Sequence, residues 1–113
     1  MKKILVLAAA ALSFNAVAGG NVEAGKLAVE KNNCASCHGA NYATPVDPSY
    51  PKLAGQHEDY LVHALTAYKR GGDSPYGRAN AIMGAQVKQL SAKDIQNIAA
   101  YLHSLPAALV TQR

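Results

Sequence analysis

Large aromatic and sulfur-containing side chains are scarce in this 113-residue sequence. It has no Trp, one Phe, six Tyr, two Cys and two Met. A chain of this length buries only a modest apolar interior, and large aromatic side chains normally supply much of it. The shortage indicates that a large apolar cofactor helps to fill the core.

The amino terminus has the pattern of an export signal. Lys2 and Lys3 precede an apolar run from Ile4 to Leu12, and the small residues Ala16-Val17-Ala18 follow at the distance of a signal-peptidase site. A membrane anchor is the alternative, but crossing a bilayer takes roughly 20 apolar residues and this run is much shorter. We therefore expect residues 1-18 to be a cleaved signal peptide and the mature protein to reside in the periplasm.

The expected mature chain, residues 19-113, lacks a strong charge of either sign. Without Lys2 and Lys3 it has nine Lys and Arg against seven Asp and Glu, a net charge of +2. A nucleic-acid-binding protein usually carries a dense basic stripe, and none is present, so no nucleic-acid partner is expected. The sequence also has no internal repeat and no linker-like tract, which predicts a single domain.

The two cysteines lie in the pentapeptide Cys34-Ala35-Ser36-Cys37-His38, the attachment signature of c-type haem. Two intervening residues put both thiols on one turn of chain, where they reach the two vinyl groups of one haem, and His38 then becomes an axial ligand of the iron. A thioredoxin-like dithiol, a structural disulfide and half of a zinc site are the alternatives. No strand-like run precedes the motif and no second ligand pair is spaced for zinc, so one covalent haem c is the preferred cofactor.

Met83 is the only methionine of the expected mature chain and the leading candidate for the second axial ligand. His and Met commonly hold the iron of electron carriers, and the thioether raises the reduction potential. Small residues flank Met83 and would let the backbone approach a porphyrin face. Bis-histidine ligation by His57, His63 or His103 is the second choice, because these residues open predicted helices or lie inside them.

The apolar periodicity predicts an all-α fold with about three main helices and long loops. The first helix runs from about Val22 to Asn32. The second runs from about His57 to Arg70, with acidic residues in its first turn and basic residues in its last. The third starts at Ser91, with Asp94 as its capping-box partner, and ends before Pro106. The faces expected to be buried are Leu61, Ala64, Leu65 and Tyr68 on the second helix and Ile95, Ile98, Ala99 and Leu102 on the third.

Two loops rich in turn-forming residues connect these helices, over residues 39 to 56 and 71 to about 80. Tyr42, Tyr50 and Tyr76 lie in these loops. The sequence leaves two positions open for these three tyrosines, the edge of the haem and the protein surface.

Taken together, these motifs resemble the class I cytochromes c. The sequence is similar in particular to short single-haem bacterial members and to one half of the dihaem bacterial cytochromes c. The likeness covers essentially all of residues 19-113, but Pro45, Asp47 and Pro48 stand where a Gly-rich run usually follows the haem motif. The shared residues are Cys34-x-x-Cys37-His38-Gly39, Pro51-Lys52-Leu53-Ala54-Gly55-Gln56 with Tyr60-Leu61, Met83, Leu90-Ser91, and Ile98-Ala99-x-Tyr101-Leu102.

The resemblance implies the small cytochrome c fold, wrapped around one covalently bound haem. In that family the first and last helices cross at a small residue, which would place Gly25 or Val29 against the apolar face of the last helix. The resemblance also implies that the carbonyl of Pro51 accepts the N–H of the axial histidine and fixes its ring. It further implies that Arg78 pairs with a haem propionate. An ordinary turn proline at Pro51 and a solvated Arg78 are the alternatives.

These features favour electron transfer over catalysis. With His38 and Met83 both bound to iron, no substrate reaches the metal, so we expect a carrier and not an enzyme. The resemblance implies partners such as quinol oxidoreductases and terminal oxidases. We expect the protein to be a monomer that docks to these partners weakly and transiently. The main alternative is a ligand sensor or peroxidase-like enzyme with an open sixth site, and another is a subunit permanently docked to an oxidoreductase complex.

Overall fold

The computed structural model describes residues 19–107 together with Lys3, Ile4 and Val6. Within these residues the chain forms five helices and no strand, which confirms the predicted all-α class. The predicted signal peptide lies outside the described residues apart from those three positions. The helices are α1 (Val22–Lys31), α2 (Ala35–His38), α3 (Glu58–Arg70), α4 (Ala81–Val87) and α5 (Ala92–Ser104).

The helices α1, α3 and α5 are the three main helices that the sequence predicts, and their bounds agree to within about one residue. Asn21 caps α1 by accepting a hydrogen bond from the N–H of Ala24. Ser91 and Asp94 form a complete capping box at the start of α5, each side chain accepting from the other's backbone N–H. These local signals define the helix starts because they satisfy N–H groups that have no partner inside the helix.

The first and last helices cross at Gly25, as the resemblance implies. A Cβ atom at Gly25 would overlap the carbonyl of Asn97 and the Cβ of Tyr101, so only glycine permits this approach. One turn further along α1, Val29 is 1 % exposed and belongs to the core that includes the apolar face of α5. The side chain of Asn97 is buried beside the crossing and accepts a hydrogen bond from the N–H of Asn21 at 2.8 Å.

Two short helices were not predicted. The first, α2, is a single turn built by the haem motif itself, and Gly39 ends it with a φ of 91°. The second, α4, starts after Asn80, whose side chain accepts a hydrogen bond from the N–H of Met83 at 2.9 Å. Gly84 lies in the middle of α4 and has a poor intrinsic helix propensity, which obscures the helical pattern in the sequence.

The three loop tyrosines have three different environments. Tyr42 is 4 % exposed and packs edge to face against Tyr101, with ring centroids 6.1 Å apart. Its φ is 57°, and its carbonyl accepts hydrogen bonds from the N–H groups of Leu53 and Ala54. Tyr76 is 80 % exposed, whereas Tyr50 lines a cavity enclosed by the helices. Tyr42 is therefore a core residue, Tyr76 a surface residue, and only Tyr50 faces the candidate site.

Among the described residues, no helix has the length and apolar character needed to cross a membrane.

Candidate cofactor site

A cavity of about 300 Å³ lies between α1, α3, α4 and α5. The predicted apolar face of α3 contributes to its wall, since Leu61 is buried and Ala64, Leu65 and Tyr68 are half-buried beside it. This apolar wall suits the large apolar cofactor that the sparse aromatic content of the sequence indicates. The apolar lining of the cavity includes Val29, Leu53, Leu61, Leu65, Val87 and Ile98.

Cys34 and Cys37 line one wall of this cavity as free thiols. The N–H of Cys37 donates to the carbonyl of Cys34, so one helical turn separates the two side chains. Desolvation by burial raises the pKa of the Cys34 thiol, and the nearby Cys37 raises it further. Two thiols on one turn, facing an apolar space, match the geometry that thioether attachment to a single macrocycle requires.

His38 is 6 % exposed and lies at the cavity next to these thiols. Its Nδ1 atom is 3.0 Å from the carbonyl oxygen of Pro51. A carbonyl can only accept a hydrogen bond, so this contact places the ring proton on Nδ1 and leaves the lone pair on Nε2. Nε2 is thus the nitrogen of His38 that is available to bind a metal.

Met83 lies in α4, half-buried, and its side chain also lines the cavity. The Asn80 cap fixes the first turn of α4 and therefore the backbone from which Met83 extends. The structure brings Met83 to the same cavity as His38, although the two residues are 45 positions apart in the sequence. A soft thioether and an imidazole nitrogen are suitable axial ligands for haem iron.

The other three histidines do not reach the cavity. His57, His63 and His103 are exposed and are absent from its lining. His103 is instead engaged through Nδ1 with the carbonyl of Gln56 at 2.8 Å. The geometry therefore favours Met83 over these residues as the partner of His38.

The described lining of the cavity contains two cations, Lys52 and Arg78, and no carboxylate. The guanidinium of Arg78 lies over the rings of Tyr60 and Tyr68, 5.6 and 5.5 Å from their centroids. The side chain of Tyr60, and secondarily that of Tyr68, raises the pKa of Arg78. This positive lining suits a cofactor that carries acidic groups at its edge.

The residues present fit haem better than the other readings of the cysteine motif. Within the described chain, no three His, Cys, Asp or Glu side chains converge, so the two cysteines have no partners for a zinc site. The helix α1, and not a strand, precedes the motif, which argues against a thioredoxin-like dithiol. An apolar cavity with two thiols, one imidazole lone pair and one thioether is the donor set of a covalently held haem.

The sequence predicted six residues for this site, and the structure places all six in the cavity lining. Sequence reasoning gave no role in the site to Lys52, Tyr60 or Asn80, and for Tyr50 it left two positions open, the haem edge and the surface. Asn80 carried a readable signal, because an Asn before a short apolar stretch is a common helix N-cap. The contributions of Tyr50, Lys52 and Tyr60 could not be decided from the sequence, since they depend on how loops and helix faces meet in space. The six residues are Cys34, Cys37, His38, Pro51, Arg78 and Met83.

Comparison with known proteins agrees with the fold. Residues 22–106 match the cytochrome c family. The chain is 38 % identical to cytochrome c4 of Stutzerimonas stutzeri, over 92 % of this chain and 51 % of that protein. It is 33 % identical to cytochrome c-554(547) of Halothiobacillus neapolitanus, over 76 % of this chain and 98 % of that protein.

A solved structure of a cytochrome c4 has a similar fold. The crystal structure of reduced recombinant cytochrome c4 from Pseudomonas stutzeri superposes with a TM-score of 0.69 at 37 % identity, covering 78 % of this chain and 47 % of that one. The present chain spans about half the length of the cytochromes c4 that it matches.

The fold and the site define a small helical domain that holds haem through a cysteine pair. The chain belongs to the cytochrome c family. The predicted cofactor, one covalently attached haem c, is confirmed by this membership and by the spacing of Cys34 and Cys37.

Proposed function

We propose that the chain is an exported electron carrier in which His38 and Met83 are the axial ligands of a single haem c. The observation that carries this proposal is the orientation of His38. The carbonyl of Pro51 holds the ring proton on Nδ1, and the lone pair on Nε2 is left for the metal, in a cavity that Met83 also lines.

Each site residue has a role in this proposal. Cys34 and Cys37 form the two thioethers, which keep the cofactor attached in a domain too small to enclose it fully. Pro51 orients His38 and increases its basicity as a ligand. Arg78 and Lys52 supply positive charge beside the acidic edge of the cofactor. When bound, haem c supplies an iron that alternates between the ferric and ferrous states.

The proposed ligand pair explains why the chain would transfer electrons and not catalyse bond chemistry. With both axial positions occupied by side chains, the iron has no site for a substrate. A donor and an acceptor then need only approach the exposed part of the cavity mouth, where Ile82 is 53 % exposed and Tyr60 47 %. The membership of the cytochrome c family supports this function.

We further propose that residues 1-18 are a cleaved export signal and that the mature domain of residues 19-113 works in the periplasm as a monomer. Its partners would be redox proteins such as quinol oxidoreductases or terminal oxidases. The net charge of +2 expected after cleavage gives little long-range steering, so docking would be weak and transient.

The proposed ligation is tested by optical spectroscopy of the protein purified from a strain competent in haem attachment. We expect the ferric protein to show the charge-transfer band of a methionine sulfur bound to iron, and the ferrous protein to bind carbon monoxide weakly. A ferric spectrum without that band, together with avid carbon monoxide binding, would instead identify a ligand sensor or peroxidase-like enzyme with an open sixth site.

A further inference from the structure

The loop between α3 and α4 folds back and is attached to α3. The carbonyl of Ala67 in α3 accepts two hydrogen bonds, from the N–H of Gly71 at 3.2 Å and from the N–H of Arg78 at 2.9 Å. The intervening loop includes Gly71, Gly72 and Gly77, which give it a large conformational freedom when it is not held. The attachment at Arg78 therefore fixes the position of the backbone at the start of α4.

The side chain of Arg78 strengthens this attachment. Its guanidinium contacts the rings of both Tyr60 and Tyr68, which belong to α3. The planar, delocalised guanidinium is well suited to stacking on aromatic faces, whereas an ammonium is not. A single residue of the loop is thus connected to α3 through its backbone and through two aromatic contacts.

The connection continues from Arg78 to the proposed iron ligand. Asn80 follows two residues later and begins α4, where its side chain accepts from the N–H of Met83 at 2.9 Å and its carbonyl accepts from the N–H of Gly84 at 2.8 Å. Displacement of Arg78 from α3 would move Asn80, and with it the turn that carries Met83.

We propose that Arg78 is a positioning residue for Met83: its contacts with Tyr60 and Tyr68 anchor the 71–80 loop to α3 and thereby stabilise the methionine-bound state of the iron. This inference rests on the proposed ligation by Met83 and goes beyond it, because it gives Arg78 a role that does not depend on the charge of the cofactor.

The test measures how readily an external ligand replaces methionine. Imidazole binds ferric iron only when the methionine is released, so its apparent dissociation constant is inversely proportional to the released fraction. For Arg78→Ala we expect an imidazole dissociation constant about tenfold lower than in the wild type, the factor that corresponds to the loss of two exposed cation–π contacts. Tyr60→Leu and Tyr68→Leu should each give an intermediate decrease, and Arg78→Lys should lie between Arg78→Ala and the wild type.

The control is Arg70→Ala, which removes the same type of side chain from an exposed position of α3 outside the cavity lining. Its imidazole affinity should equal that of the wild type. The tyrosine variants retain Arg78 and therefore separate anchoring from charge. If Arg78→Ala changes the affinity but both tyrosine variants do not, Arg78 acts through its charge and the positioning role is wrong.

Failure of the two proposals can be distinguished. A wild-type protein without the methionine charge-transfer band contradicts the proposed ligation, and the positioning role falls with it. A wild-type protein that shows the band, with unchanged imidazole affinity in all the Arg78 and tyrosine variants, contradicts the positioning role alone. If Arg78→Ala does not fold, the imidazole dissociation constants of the two tyrosine variants test the positioning role instead.

Discussion

The ring of the buried His38 donates its Nδ1 proton to the carbonyl of Pro51 across 3.0 Å. This hydrogen bond makes the imidazole a more basic ligand, and a basic ligand stabilises ferric iron relative to ferrous iron.

Replacing Pro51 with Ala tests this relationship. The variant keeps the carbonyl but loosens the backbone that presents it, so we expect the reduction potential to rise by on the order of tens of mV, the scale of a weakened hydrogen bond. Pro106→Ala, an exposed proline after α5, is the control and should leave the potential unchanged. A potential equal to that of the wild type in Pro51→Ala would show that the proline ring does not contribute to holding His38.

The helix crossing at Gly25 predicts a large effect on stability. A methyl group there would overlap the Asn97 carbonyl, so Gly25→Ala should lower the free energy of unfolding by about 1–3 kcal/mol, the usual cost of overpacking. Lys26→Ala, at the exposed next position of α1, is the control. We expect this control to change the free energy of unfolding by less than about 0.5 kcal/mol. Equilibrium unfolding in guanidinium chloride measures both, and equal midpoints for the two variants would contradict the close crossing.

Burial raises the pKa of Tyr42 to about 12. An unfolded tyrosine titrates near pH 10, so the unfolded state loses its proton first as the pH rises. The contribution of Tyr42 to stability is therefore complete below about pH 10 and declines between that value and the folded pKa of about 12. Tyr42→Phe should flatten this alkaline decline in the free energy of unfolding, whereas Tyr76→Phe, at an exposed position, should not. If the free energy of unfolding declined equally at alkaline pH in Tyr42→Phe and the wild type, the raised pKa of Tyr42 would be contradicted.

The capping box of α5 predicts that part of the protein's stability is lost at acidic pH. The hydrogen bond from the Ser91 backbone N–H holds the pKa of Asp94 below its ordinary value. A lowered folded pKa means that this stabilisation is present above the unfolded pKa of about 4 and is lost as the pH falls below it. Asp94→Asn should therefore show a smaller loss of stability between neutral pH and pH 3 than the wild type. Ser91→Ala should lower the free energy of unfolding by about 1 kcal/mol at neutral pH.

The sequence was informative where the chemistry is local. The haem motif spans five residues, and the helices α3 and α5 have periodic apolar faces with acidic and basic residues at the correct ends. The bounds of these helices and the identity of the cofactor could therefore be predicted. The crossing at Gly25 and the bond between His38 and Pro51 came instead from resemblance to a family, since nothing in local composition connects those positions.

Other features depend on three-dimensional placement. Tyr42 and Tyr50 have the same local character in the sequence, yet one packs in the core and the other lines the cavity. The contacts of Arg78 with Tyr60 and Tyr68 require the 71–80 loop to fold back over α3. The helix α4 was missed because Gly84 weakens its pattern, although Asn80 signals its start. Tertiary packing decides such features, and local propensity does not.

The central claim is that Met83 is the second axial ligand, and a redox titration of wild type and Met83→Ala, followed by optical spectra, tests it most directly. Loss of the thioether should abolish the methionine charge-transfer band and lower the reduction potential by on the order of 100 mV, within the roughly 0.8 V range that axial ligands control. His63→Ala, at an exposed position of α3, should match the wild type in both respects. A Met83→Ala protein with an unchanged spectrum and potential would contradict the account and return His57, His63 and His103 to consideration as ligands.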